Sequence, residues 1–288
     1  MTLQGHLDEL GLPDARRFQI AVRRLADSLS YGSDRSPYLG SGFEYVQSRP
    51  YAAGDSVRAI DWRVTARTGR FFVKEYEAPK CLPVEIVLDT SASMTVSSTA
   101  LSKYAMGLFL AGGLALACLE RASPVGLVGA GSGGFLSRPS LSKGRILQWL
   151  LRLRTFRYDE ATELSERVAV LSARLKQRSL VIVLSDLHDA KAPQSLKLLA
   201  QRHDLVVLHL VDPAELDLCG AGLFFAREAE SGRVFATHGR RAHVDPVAVG
   251  AELALAGIDR LELRTDQEYV YATRRFFAAR GGLARRAR

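Results

Sequence analysis

The sequence predicts an α/β protein built on an open, mainly parallel sheet flanked by helices. From Val84 onward, short apolar runs rich in Val, Ile and Leu alternate with longer amphipathic stretches. This is the pattern of parallel strands joined by crossover helices. A second observation is the uncharged run from Tyr104 to Leu119. It is shorter than the roughly 20 apolar residues of a membrane span and favours a helix buried against the sheet.

The elements before this sheet are short. Apolar residues near helical spacing predict a helix over 6–29. Strand candidates follow at 43–46 and 71–76. Asp55 lies in a turn between them, where it can cap a short helical turn that ends near Trp62.

The sheet and its helices fill the rest of the chain. Strands are expected over 84–88, 124–130, 180–184, 205–211 and 233–237. Helices are expected over 99–121, 143–154, 163–176, 194–202, 246–256 and 267–279. A glycine-rich run at 129–134 predicts a hairpin turn. The expected organisation is an N-terminal helix with a small β-containing α+β subdomain over 1–80, the α/β domain over 81–280 and a basic tail over 281–288.

Composition restricts the function classes. The net charge is +8, but residues 274–288 hold six arginines and no acid, so the basic excess is largely terminal and is weak evidence for a nucleic-acid surface. The three cysteines are far apart and lack a Cys-x-x-Cys spacing. That argues against disulfides and a zinc site and indicates a reducing, cytoplasmic environment. No apolar stretch of signal-peptide length is present at the N-terminus.

The strongest candidate site directly follows the first strand of the sheet. Asp89, Ser91 and Ser93 alternate there, so one carboxylate and two hydroxyls can converge on a hard divalent cation. Taken alone, these are also ordinary turn and helix-cap residues.

Two later residues strengthen the metal interpretation. Asp186 follows the predicted strand 180–184, and two carboxylates at the carboxyl ends of buried strands repel each other unless a cation or a shared proton lies between them. Thr162 precedes a predicted helix, where it can be either an N-cap or a further oxygen ligand.

The Asp-x-Ser-x-Ser motif at Asp89 resembles part of the metal-ion-dependent adhesion site of von Willebrand factor A domains. Thr162 and Asp186 follow in the order in which that site has its threonine and second aspartate. The resemblance implies a Rossmann-like A-type fold that binds Mg²⁺ or Mn²⁺. It also implies that a protein partner supplies an Asp or Glu to the ion. The implied ligands are Asp89, Ser91, Ser93, Thr162 and Asp186. Ala161 stands where the threonine loop of that family usually carries a glycine.

The residues before and around the Asp89 motif resemble a more specific family. Residues 49–94 contain Arg-Pro-Tyr, Gly-Asp, Ile-Asp-Trp-Arg, Ala-Arg-Thr-Gly-Arg and Val-Lys-Glu steps and are similar to domain-of-unknown-function family 58. The similarity extends from about residue 38 to the C-terminus. It implies a non-enzymatic binding module that acts with a MoxR-type AAA+ ATPase in protein assembly, maturation or stress response. Within the block, acids and arginines are expected to form ion pairs, and Trp62 is expected to be a packing anchor rather than a partner contact.

Other functions compete with this interpretation. The run Asp186 to Asp189 resembles the opening of the metallophosphoesterase ligand set, but the downstream Gly-Asp and histidine elements of those enzymes are absent. Phosphate-loop, nucleophile-elbow and dinucleotide signatures are also absent. We therefore expect no enzymatic activity. The main alternative is a nucleic-acid-associated factor that uses the arginine tail, with strongly salt-dependent binding.

Overall fold

The structure is a computed structural model that describes residues 4–6, 15–30, 44–77, 82–157, 160–216, 223–227, 234–238 and 246–280. The strands are β1 (Gln4–His6), β2 (Glu44–Pro50), β3 (Phe72–Glu77), β4 (Val84–Leu88), β5 (Val125–Gly129), β6 (Phe135–Leu136), β7 (Thr155–Arg157), β8 (Leu180–Ser185), β9 (Asp204–Val211), β10 (Leu223–Arg227), β11 (Val234–His238) and β12 (Asp259–Arg264). The helices are α1 (Ala15–Ser30), α2 (Trp62–Thr68), α3 (Lys103–Glu120), α4 (Lys143–Leu153), α5 (Leu164–Arg174), α6 (Ala192–Ala200), α7 (Pro213–Leu216), α8 (Pro246–Leu255) and α9 (Tyr269–Ala279). The chain divides into a large unit, residues 1–33 with 82–288, and a small unit, residues 34–81.

A six-stranded sheet is the centre of the large unit. Its order is β12-β9-β8-β4-β5-β6, and all neighbouring strands are parallel except β5 and β6. The chain leaves β4 toward β5 on one side and later returns to β8 on the other. The strand order therefore reverses between β4 and β8, and open α/β sheets bind ligands outside the carboxyl ends of the strands at such a point. The predicted fold class is confirmed.

Helices cover both faces of this sheet. Successive residues of a strand point to opposite faces. Ile86 accordingly belongs to a core cluster with α1, α3, α4 and α9, whereas Val87 belongs to a second cluster with α5, α6 and α8. Helix α3 is long and apolar enough to cross a membrane, but 89% of it is buried inside the unit. The prediction of a buried core helix is confirmed.

Helix α1 packs against α3 at two glycines. A Cβ atom added to Gly112 would lie 2.8 Å from Val22 Cγ1, and one added to Gly113 would lie 2.5 Å from Leu25 Cγ. This helix, expected within the N-terminal subdomain, belongs by its contacts to the large unit, because its apolar stripe is buried there.

The N-terminal boundary of that helix also differs from the prediction. Helix α1 is described from Ala15 onward, and residue 6, where the helix was expected to begin, belongs instead to the strand Gln4–His6, which pairs antiparallel with β7. Residues 7–14 of the predicted helix lie outside the described residues.

Two strand predictions need correction. The run 233–237 was assigned to the sheet, but β11 pairs antiparallel with β10 in a separate hairpin. The edge strand β12 was not predicted, because charged and apolar residues mix along it, as is common at sheet edges. The hairpin turn predicted at 129–134 is confirmed, with β5 and β6 antiparallel and Gly134 at φ +36°.

The small unit contains the antiparallel pair of β2 and β3 and the short helix α2. Asp55 does not cap the helical turn after it; its carboxylate accepts hydrogen bonds from the Arg49 guanidinium and from the Ala52 N–H. Asp61 instead caps α2, where its Oδ1 accepts from two backbone N–H groups, those of Arg63 and Val64.

One further prediction for this unit is wrong. Trp62 is 63% exposed and is not a packing anchor; the buried apolar pair is Ile60 and Val73, which form an isolated antiparallel bridge. The expected ion pairs are confirmed for Asp55, which pairs with Arg49, but not for Asp61, which caps α2. The side chains of Glu75 and Glu77 lie outside the described residues. The arginines left without an ion pair among the described residues are Arg58, Arg63, Arg67 and Arg70.

Candidate metal centre

Two aspartates follow neighbouring strands where the strand order reverses. Asp89 comes directly after β4, and Asp186 comes directly after β8. The two strands pair in parallel register up to Leu88 and Leu184, and the Asp89 N–H donates to the Leu184 carbonyl at 2.9 Å. Both carboxylates are buried, with at most 1% of either residue exposed. The predicted meeting of these carboxylates at one edge of the sheet is therefore observed.

The two serines belong to the loop after β4. A 3₁₀ turn over Ala92–Thr95 follows Ser91, and the hydroxyl oxygens of Ser91 and Ser93 lie 3.0 Å apart. Asp89 Oδ1 accepts from the Ser91 N–H at 3.0 Å, and the Ser93 hydroxyl is hydrogen-bonded to Asp186. Four of the five predicted side chains are thus in one connected cluster.

The fifth predicted residue, Thr162, lies on the adjoining loop and is half-buried. Its backbone forms an antiparallel bridge with Gly131, and α5 begins after Glu163, so Thr162 is not the N-cap of that helix. Glu160 ties this loop to the loop of the serines: its carbonyl accepts from the Ala92 N–H at 2.8 Å, and its carboxylate accepts from the Thr90 hydroxyl at 2.9 Å.

Ser185 connects the two strand ends. Its hydroxyl donates to Asp89 Oδ2 at 2.6 Å and accepts from the Leu187 N–H at 2.9 Å. Leu187 has φ +57°, a left-handed conformation that is uncommon for residues other than glycine. Such strain persists where surrounding contacts hold it and is frequent at functional sites.

His209, on β9, fixes the backbone at the second aspartate. Arg260 donates to His209 Nδ1, so the ring proton lies on Nε2, which is 3.1 Å from the Asp186 carbonyl and donates to it. Burial and the nearby Arg260 charge lower the pKa of His209 to about 4. The imidazole is therefore neutral near pH 7 and acts as a positioning residue.

A buried lysine compensates part of the negative charge. Lys103, the first residue of α3, is 0% exposed. Its Nζ donates to Asp186 Oδ2 at 2.6 Å and to the Glu215 carboxylate. The His188 ring lies against the same two acids, with Nδ1 3.6 Å from Asp186 Oδ2 and Nε2 3.7 Å from Glu215 Oε1.

The pKa values of the two aspartates are consequently shifted in opposite directions. Burial, and then the charge of Asp186, raise the pKa of Asp89. Burial acts in the same direction on Asp186, but the charge of Lys103 and its hydrogen bond hold the pKa of Asp186 below its usual value. Asp89 is the carboxylate that lacks a compensating cation.

The donors on the Asp89 side fit a divalent cation. They are carboxylate and hydroxyl oxygens only, which Mg²⁺ prefers, and a dication would offset the repulsion that raises the pKa of Asp89. A second group, Asp186 with His188 and Glu215, has ligand atoms within 4.8 Å of one another. The Lys103 ammonium already contacts both acids of that group. The Asp89 side is therefore the better place for an ion.

Several residues of this cluster were not predicted from the sequence. Lys103 and Glu215 come from elements far from the motif, although a lysine at the first position of an apolar helix opposes the helix dipole and so indicates acidic partners. Asp189, part of the metallophosphoesterase resemblance, accepts hydrogen bonds from the backbone N–H groups of Ser165 and Lys191. Its carboxylate therefore caps α5 instead of joining the cluster.

The fold and the site together define an α/β domain with an oxygen-lined candidate cation site at the switch point of its sheet. The chain belongs to the family described as protein of unknown function DUF58, whose sequence profile matches residues 47–245.

Relatives of similar length occur in mycobacteria. Uncharacterized proteins of Mycobacterium bovis and Mycobacterium tuberculosis are 27% identical over 305 residues, covering 98% of this chain and 94% of each relative. Among solved structures, the VWA domain of SpRpn10 matches 70% of this chain and 98% of its own, with 10% identity and a TM-score of 0.38. An uncharacterized membrane-spanning protein from Vibrio fischeri matches 65% of this chain and 92% of its own, with 17% identity and a TM-score of 0.25.

Proposed function

We propose that this chain is a cytoplasmic protein-binding module, without catalytic activity of its own, that recognises its partner through a bound divalent cation. The ion would be Mg²⁺ or Mn²⁺, held by Asp89, Ser91, Ser93, Thr162 and Asp186. An Asp or Glu of the partner protein would complete its oxygen ligands.

One observation carries the proposal: four oxygen-bearing side chains converge between the carboxyl ends of β4 and β8. The hydroxyls of Ser91, Ser93 and Ser185 are hydrogen-bonded to the carboxylates of Asp89 or Asp186, so these oxygens already face one another as the ligands of an ion would. The neutral His209 uses both ring nitrogens in hydrogen bonds. Binding is the function that these groups support best.

By resemblance, the partner is a MoxR-type AAA+ ATPase, and the pair would act in assembly, maturation or stress handling of other proteins. The test is capture of a purified MoxR-type ATPase of the same organism on the immobilised chain, in Mg²⁺ and in EDTA. Capture in Mg²⁺ that EDTA abolishes, and that Asp89→Ala abolishes in Mg²⁺, is expected. Equal capture in EDTA would contradict a role for the ion, and no capture in either buffer would contradict this partner.

A further inference from the structure

The small unit presents exposed apolar side chains that are not part of the metal centre. Four large ones are exposed by 39% to 65%: Tyr51, Val57, Trp62 and Phe71. Exposed apolar residues scattered singly are ordinary, but a group of them on one small unit indicates an interaction site.

Backbone contacts place three of these residues, Tyr51, Trp62 and Phe71, on adjoining segments. The Tyr51 N–H donates to the Phe71 carbonyl at 2.9 Å, and the Asp61 N–H donates to the Phe72 carbonyl at 2.7 Å. The segments that carry Tyr51, Trp62 and Phe71 therefore run side by side. We call the exposed side chains of residues 51–71 in this unit the α2 surface.

The charge of the α2 surface is positive. Residues 51–71 hold four arginines and two acids. Asp55 is paired with Arg49, and Asp61 is 6% exposed and caps α2. Arg63 and Arg67 are one helical turn apart and share a face of α2. Along with Arg58 and Arg70 they are exposed, and none of the four has an ion-pair partner within the described part of the chain.

We propose that the α2 surface binds an acidic segment of a partner protein in which carboxylates alternate with apolar side chains. Arginine forks pair with carboxylates in a bidentate manner, and Trp, Tyr and Arg are the residues that dominate interface energetics. The exposed aliphatic Val57 favours a peptide over single-stranded nucleic acid, since bases stack on successive aromatic platforms. This binding does not depend on the cation site.

Tryptophan fluorescence provides the readout. The chain has two tryptophans, Trp62 and Trp149, so a Trp149→Phe background isolates the signal of Trp62. The probes are a synthetic peptide that alternates Glu with Leu, the same peptide with Gln in place of Glu, and a single-stranded oligodeoxythymidine. The Glu peptide is expected to protect Trp62 from acrylamide quenching and to bind at least roughly tenfold more tightly than the Gln peptide.

A charge-matched pair of double variants controls for nonspecific attraction. Arg63→Ala with Arg67→Ala should weaken binding of the Glu peptide roughly tenfold or more. Arg145→Ala with Arg178→Ala removes the same charge from two exposed arginines of the large unit and should change the affinity by less than about twofold. Because all four side chains are exposed, the variants should keep the circular dichroism spectrum of the parent.

Several results would overturn the proposal: no binding of the Glu peptide, equal losses in the two double variants, or tighter Trp62-protecting binding of the oligonucleotide. Binding of the Glu peptide should be the same in Mg²⁺ and in EDTA. Loss in EDTA would assign the peptide to the metal centre instead. The test of the α2 surface can therefore fail without affecting the proposed cation site, and the reverse is also true.

Discussion

The Nζ atom of Lys103 lies 2.6 Å from Oδ2 of Asp186, and both side chains are buried. The chain thus supplies a cation of its own to one side of the aspartate pair, while Asp89 on the other side has none in the part of the chain that the structure describes. This asymmetry accounts for the opposite pKa shifts of the two aspartates. It also indicates that Lys103 helps to hold the loops around Asp186, so that a divalent ion bound at Asp89 would add to an existing charge network.

Removing the lysine tests this network. Lys103→Met leaves Asp186 and Glu215 buried without their cation and should lower the free energy of unfolding in EDTA by about 3–5 kcal/mol. Mg²⁺ should then raise the melting temperature of the variant by more than it raises that of the parent. The control is Lys197→Met, which breaks a more exposed pair with Glu252 and should cost less than about 1 kcal/mol. An unchanged stability of Lys103→Met in EDTA would contradict the account.

Glu85 should make stability pH-dependent. It lies on β4, is 0% exposed and pairs with Arg174 at 2.7 Å. Burial raises its pKa to about 7, an effect that Arg174 only partly offsets. Since the folded value exceeds the unfolded one, the protonated acid stabilises the fold at low pH, and this contribution is lost as the pH rises through 7.

Urea unfolding at several pH values between 5 and 8 checks whether the free energy of unfolding falls as the pH rises. From the shift, the parent should lose about 2.5 kcal/mol more than Glu85→Gln across that range. Other titrating groups are common to both proteins and cancel in the difference. Parallel pH profiles for the two proteins would show that Glu85 does not titrate in this window.

The packing of α1 on α3 depends on Gly113, where α3 has no side chain. Gly113→Ala would bring a Cβ atom to 2.5 Å from Leu25 Cγ and 3.2 Å from Leu25 Cβ, so the helix itself must shift. We expect a loss of about 1–3 kcal/mol in chemical unfolding. Gly144→Ala in α4 is the matched control, because its nearest neighbour lies at 3.9 Å and alanine favours a helix. Equal stability of the two variants would contradict the α1–α3 contact.

The basic tail can be removed without cutting the core, provided that the cut follows Arg280. Phe277 belongs to the core, and Arg280 pairs with Asp204 and Asp259. Deleting residues 281–288 should therefore change the unfolding free energy by less than about 0.5 kcal/mol and leave metal-dependent capture of the partner intact. A complete loss of capture would show that partner binding requires residues 281–288, and it would support the alternative function that uses the arginine tail.

Much of the large unit could be predicted because its elements have strong local patterns. The buried strands β4 and β8 are continuous apolar runs, and the aspartates after them meet because parallel strands end at the same edge of a sheet. The hairpin β10–β11 was misassigned because an apolar run does not specify its pairing partner. The edge strand β12 was missed because its charged residues obscure the pattern.

The rest of the site required tertiary structure. Lys103 and Glu215 approach Asp186 from the start of α3 and from the segment after β9, and no sequence spacing relates these three positions. In the small unit, the sequence could not predict which partner an acidic side chain would take. Asp61 could have paired with an arginine or capped a helix, and the local cap formed. Arg58, Arg63, Arg67 and Arg70 consequently have no ion pair among the described residues. Whether Asp89, Ser91, Ser93, Thr162 and Asp186 bind an ion stays a prediction.

Direct titration with Mn²⁺, followed by the electron paramagnetic resonance signal of the free ion, tests that prediction. The parent should bind a single Mn²⁺ that Mg²⁺ displaces. Asp89→Asn should weaken binding by roughly a hundredfold or more, with an unchanged circular dichroism spectrum. Asp189→Asn, which alters a nearby aspartate that caps α5, should bind like the parent. If Asp89→Asn binds Mn²⁺ as tightly as the parent, or if the parent binds none, the cation site proposed here is wrong.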